Sequence, residues 1–180
     1  LNNKTMKKLI FISLLFSILS LSVSAQKPTK AEKAAQLEQE FQQTRQLIES
    51  NHFQFELNRV YPQDGQDLSR FNPRGKFVIT DSVAKGTLPF FGRAYSLPYG
   101  EGGGIEFDGV MKDQSLKIEH KKKRKILIYR FSITAKNDTY QISMEISGGG
   151  NCSVNLNSNN RAQISYSGTV SPVKDETGKS

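Results

Sequence analysis

The chain has 180 residues, 36% of them hydrophobic, and 25 lysines and arginines against 17 acids give a formal charge of +8. That length fits one domain able to bury a core without covalent staples. A single cysteine, Cys152, excludes an internal disulfide, and the two histidines, His52 and His120, share no metal-ligand spacing with it.

Residues 6–25 read MKKLIFISLLFSILSLSVSA. Two lysines follow Met6, an apolar run fills 9–21, and small residues close the segment. That order is a secretory signal peptide, with cleavage expected after Ala25. The run is too short for a membrane anchor, because crossing a bilayer takes about 20 apolar residues. Residues 1–5 read as upstream of the true start at Met6. No cysteine near the cleavage site offers a lipid attachment. The expected protein is exported, periplasmic or secreted, and does not span the membrane after cleavage.

Residues 26–30 form a polar tether, and the spacing predicts a helix over 30–50. Ala34, Leu37, Phe41, Thr44 and Ile48 recur at steps of three and four, with Ala31, Ala35 and Leu47 beside them. Thr29 and Glu32 have the spacing of a capping box. After Asn51 the period becomes two. Phe53, Phe55 and Leu57 alternate with polar residues as a half-buried strand. A polar loop with Pro62, Gly65, Pro73 and Gly75 precedes a second strand over 77–80. Residues 88–104 are rich in proline, glycine and aromatics, and 105–107 resume an extended pattern.

The later half alternates more clearly. Leu116, Ile118 and His120 lead into a basic turn at 121–125. Leu127, Tyr129, Phe131 and Ile133 line one strand, and Tyr140, Ile142, Met144 and Ile146 line the next. Cys152, Val154 and Leu156, then Ile164, Tyr166 and Val170, complete the series. Turns at Asn137-Asp138, at 148–151 and at Asn159-Asn160 are short, so neighbouring strands run antiparallel. The fold expected is mainly β with an N-terminal α-helix (α+β), about seven or eight strands in an antiparallel meander. Such a sheet closes as a sandwich or a small barrel, and periodicity does not choose between them. The parts are a cleaved leader at 1–25, tether and helix at 26–50, the β domain at 51–170 and a flexible tail at 171–180.

Two stretches are dense in special residues: LPFFGRAYSLPYG at 88–100, running on through GEGGGIEFDG, and SNNRAQISYSG at 158–168. Over residues 31–170 the chain resembles a family of exported bacterial proteins found mainly in Bacteroidota, domain-of-unknown-function family 4251. The resemblance implies an envelope location and an α+β or mainly β domain. It implies no activity.

Physically, Pro89 and Pro98 exclude a central strand at those points. Phe90, Phe91, Tyr95 and Tyr99 either plug one end of the sheet or line a ligand pocket with Arg93 as a charged handle. Arg93 would otherwise pair with Glu106 or Asp108 across strands, and Arg161 carries the same two readings. Phe91, Arg93, Tyr95, Tyr99 and Arg161 are thus the candidate ligand-binding residues.

No catalytic residue, metal ligand or cofactor is assigned. GEGGG lacks the Gly-Lys-Ser/Thr end of a phosphate loop, and no Gly-x-Ser-x-Gly elbow occurs. Cys152 alternates with apolar neighbours as a buried, inert thiol. Glu106 and Asp108 share a strand face, as salt-bridged acids or as a glycosidase-like pair. The run Lys121-Lys122-Lys123-Arg124-Lys125 joins two strands of an exported chain, which makes it a solvated tip or an anionic-surface contact and not a nucleic-acid tract. The leading reading is a non-catalytic binding or interaction module with a small molecule, glycan or envelope protein as partner. A binder of a small apolar or glycan ligand in a barrel-like cavity and an envelope hydrolase are the alternatives.

Overall fold

A computed structural model of the protein describes residues 29–63, 68, 71–95, 103–121, 124–135 and 138–174. The chain divides into two compact units, Leu1–Ala34 and Ala35–Ser180. In the first, Thr29 N donates to Glu32 Oε2 at 2.7 Å and Glu32 N donates to Thr29 Oγ1 at 3.2 Å. This is the reciprocal capping box expected from the sequence, and it satisfies two amides at the start of helix α1, Lys30–Glu49.

The second unit holds the rest of α1 and eight strands. These are β1 His52–Pro62, β2 Lys76–Thr80, β3 Val83–Leu88, β4 Ile105–Lys121, β5 Arg124–Thr134, β6 Thr139–Ser147, β7 Asn151–Ser158 and β8 Ile164–Pro172. Each pairs antiparallel with its neighbours in chain order, and β8 returns to β1, so the sheet closes as a barrel. Of the two architectures left open by the periodicity, the barrel is the one adopted. Among the described residues no helix is long and apolar enough to cross a membrane.

The inward positions follow the two-residue rhythm, and they fill the barrel. Phe53 meets Tyr129, Phe55 stacks on Phe77 at 5.0 Å between ring centroids, Phe77 leans on Phe107, and Phe107 meets Tyr140. Ile79, Leu127, Ile133, Val154, Leu156, Ile164 and Tyr166 complete this core with no exposed surface. Burial of each such side chain contributes about 1.5–3 kcal/mol.

The structure corrects the sequence expectations at four places. Strand β3, VAKGTL, shows almost no hydrophobic alternation and was not expected. Its inward positions are Ala84, Gly86 and Leu88, and Gly86 lies between Phe77 and Phe107 on the neighbouring strands. An added Cβ there would overlap Phe77, so the aromatic rings take the space that a β3 side chain would fill. Second, β4 is one strand of 17 residues and not two pieces. It carries a register shift between Lys112 and Ser115, where Asp113 has φ 53°. Third, the buried stripe of α1 narrows to Phe41, Thr44 and Ile48, while Leu37 is 61% exposed. Fourth, the chain is not loose from residue 171. Ser171 and Pro172 pair with β1, and Lys174 bonds to Gln54 and Glu56.

Antiparallel order sends α1, the β2–β3 turn, the β4–β5 hairpin and the β6–β7 turn to one end of the barrel. Asn51, with φ 49°, turns the chain from α1 into β1. Phe41 and Ile48 join the barrel core from this side. The Tyr129 hydroxyl bonds to Asn51 Oδ1 and Gln114 Oε1, and burial pushes its phenol up to about 12.

Candidate functional site

The opposite end of the barrel carries most of the expected ligand-binding residues. A strap follows β3 there. Tyr166 Oη donates to the Pro89 carbonyl at 2.9 Å, and Phe90 packs half-buried against the core. Ala94 bridges Arg161, Tyr95 N donates to Asn160 O at 2.8 Å, and Ala162 N donates to Arg93 O at 2.9 Å. Backbone bonds thus bring Arg93, Tyr95 and Arg161 together. Their side chains have different settings: Arg93 and Tyr95 are exposed, as is Phe91 at 46%, whereas Arg161 is 5% exposed. Tyr99 lies outside the described residues.

Arg161 is the charged group buried here. Its guanidinium carbon stands 5.2 Å from the Phe90 ring centroid, and Nη1 donates to Gly103 O at 3.2 Å. Nε has no hydrogen-bond partner among the described residues, and no carboxylate among them pairs with the guanidinium. Burial raises the ionisation of Tyr166 far above the usual tyrosine range, and the charge of Arg161 works in the opposite direction. Phe90, not Phe91, is therefore the ring that meets the arginine.

The barrel wall offers a second place. A cleft of about 800 Å³ runs along the outside of β1–β4, lined by Glu56, Lys76, Val78, Lys85, Glu106 and Asp108 among others. Register explains the lining. Glu56, Lys76, Thr87 and Glu106 lie directly opposite one another in a row across the four strands, and Gln54, Val78, Lys85 and Asp108 make the next. Charges of both signs thus wall an apolar floor.

Asp108 meets Lys85 at 2.7 Å, so one of the two expected partners of Arg93 is taken by another cation. The Lys85 ammonium is held above the usual lysine range, first by its hydrogen bond to Asp108 and then by the charges of Asp108 and Glu106. Glu56 accepts from Lys174 Nζ and Gln54 Nε2, each at 2.8 Å. Glu106 and Asp108 do share a face, as the strand period requires. Asp108 is ion-paired, and its side chain is 57% exposed. Sequence reasoning missed Lys76, Val78, Lys85 and Thr87, because the row cannot be assembled while β3 goes unrecognised.

Elsewhere the chemistry is structural. Burial pushes the Cys152 thiol up, away from the thiolate that a nucleophile needs. No cluster among the described residues could hold a metal. In the basic hairpin, Lys121 pairs with Glu145 at 2.7 Å and Lys125 with Glu38 at 2.9 Å, while Lys122 and Lys123 lie outside the described residues.

Comparison with known proteins follows this geometry. The sequence model of the family described as "Domain of unknown function (DUF4251)" matches residues 35–170. The fold is similar to a crystal structure of a DUF4251 family protein from Bacteroides eggerthii, with a TM-score of 0.54 and 22% identity. That similarity covers 77% of this chain and 91% of the other. A comparison with curated proteins finds no match.

Proposed function

The chain belongs to the DUF4251 family, and from that premise we propose that it is an exported, non-catalytic binding or interaction module of the cell envelope. The observation that carries this reading is the filled barrel. Eight aromatic side chains, from Phe53 to Tyr166, occupy the interior together with aliphatic ones, which leaves the outer surface to make contacts. Small-ligand barrels instead keep their lumen open. The leader pattern at 6–25 supports export, and the raised ionisation of the buried Cys152 thiol supports a non-catalytic role for that residue.

The outer cleft supports one further reading, a small molecule or glycan held against Val78 between the charged rows. Native mass spectrometry of protein drawn from its own envelope separates these. The module reading expects a chain beginning at Gln26, alone or with a protein partner. A small molecule that stays bound, and is lost on Lys85→Ala substitution, would transfer the function to the cleft. Turnover of envelope polysaccharide by the purified protein would overturn both.

A further inference from the structure

A closed barrel has no sheet edges, yet this one has a stretch that escapes closure. The first part of β4, Ile105 to Val110, pairs with β3. From Met111 to Lys121 its only strand partner among the described residues is β5. On the other side β3 has already ended in its turn, and the bond from Met111 N to Ser82 O at 2.7 Å is the last contact. Among the described residues nothing pairs with the backbone of 115–121 on that side. Every second residue there turns an amide and a carbonyl outward. The regular stretch beyond the Asp113 bulge is roughly 20 Å long at about 3.3 Å per residue.

We propose that this edge receives an acidic extended segment of another polypeptide as an added strand. The proposal rests on the interaction-module reading and names its surface. Two observations choose the occupant. Residues 112–125 carry seven lysines and arginines against two acids. Two of those lysines are spent on Glu145 and Glu38, and Lys117 and Arg124 remain exposed. A second copy of the chain would set this positive edge against itself, which opposes self-pairing. An acidic strand gains both the backbone bonds and the charge contact. Ile118, 40% exposed on the same strand, offers apolar cover to an alternating partner.

The test uses the full mature chain and a short peptide alternating glutamate and valine. Binding is followed by fluorescence anisotropy, and amide hydrogen exchange locates it. The expected result is saturable binding that slows exchange at 115–121 and weakens by about tenfold in Lys117→Glu/Arg124→Glu, as reversed charge contacts do. A peptide with proline at every second position should not bind, since it cannot donate to an edge. Equal binding of the proline peptide, protection elsewhere, no binding at all, or self-association of the chain through 115–121 would each overturn the proposal. An envelope protein captured equally by the parent and the charge-reversed variant would remove the edge while leaving the module reading intact.

Discussion

The two ends of the barrel are closed by different physics. At the helix end, Phe41 and Ile48 drop from α1 into the core, and the Tyr129 hydroxyl ties the helix exit at Asn51 to β4. At the strap end, Phe90 covers the opening only partly, one hydroxyl holds the Pro89 carbonyl, and a guanidinium is buried without a carboxylate among the described residues. The first arrangement gains from desolvation. At the second, burial of the guanidinium carries a desolvation cost, which the Phe90 ring and the Gly103 carbonyl offset. One end is therefore held by apolar burial, and the other by polar contacts around a buried guanidinium.

The largest effect that tests this contrast is at the helix end. Phe41→Ala should lower stability by about 3 kcal/mol, the cost of emptying a core aromatic site, because Phe41 is only 4% exposed. Denaturant midpoints measured beside Phe90→Ala give the comparison. The half-buried Phe90 should cost about half as much. Equal losses would mean that the strap seals its end as firmly as the helix does.

Next in size is Tyr166→Phe. The ring stays, but the partly buried Pro89 carbonyl loses its donor, and a hydrogen bond of this kind contributes about 1 kcal/mol. Thermal unfolding reads the loss, and limited proteolysis within 89–95 should speed up. No change in either would mean that the strap is held by the backbone bonds at Arg93 and Tyr95 alone.

Legibility divides along the same line. The helix end is visible in the sequence because α1 announces itself: a capping box at Thr29 and Glu32, then Phe41, Thr44 and Ile48 at helical spacing. Strands β5 to β8 are nearly as plain, since apolar residues alternate along them, with Gly168 the gap in β8. Strand β3 is silent because its inward residues are small, and its space is filled by Phe77 and Phe107 from other strands. Choosing a barrel over a sandwich needed the β1–β8 pairing, a contact more than a hundred residues apart that no local period records. The candidate site was half legible. Arg161 was marked by its motif, but its burial and its contact with Phe90 depend on where the strap lands. The cleft was hidden because it needs β3.

Arg161→Met sharpens the contrast by size. Replacing the buried guanidinium with an apolar chain of similar length removes a desolvation penalty. The lost contacts with Phe90 and Gly103 work the other way. The net change should stay within about 1 kcal/mol of the parent, in either direction. A loss as large as that of Phe41→Ala would show that the guanidinium has an anionic partner in the folded protein, and would favour Arg161 as a ligand residue.

The smallest effect lies where α1 meets the basic hairpin. The Glu38 carboxyl sits below its ordinary value of 4.5, through its hydrogen bond from Gln42 first and the bond and charge of Lys125 next. A carboxyl depressed by folding adds stability above its unfolded value, and that stability is lost as pH falls through the folded value. Melting temperatures of the parent and Glu38→Gln should therefore differ near neutral pH and converge in acid. Both side chains are partly exposed, 48% for Glu38 and 39% for Lys125, so the gap should be small and should narrow with added salt. Acid should not detach the hairpin from the helix, because Lys125 also stands 5.7 Å from the Phe41 ring centroid. A gap that persists in acid would mean that Glu38 acts there through packing and not through charge.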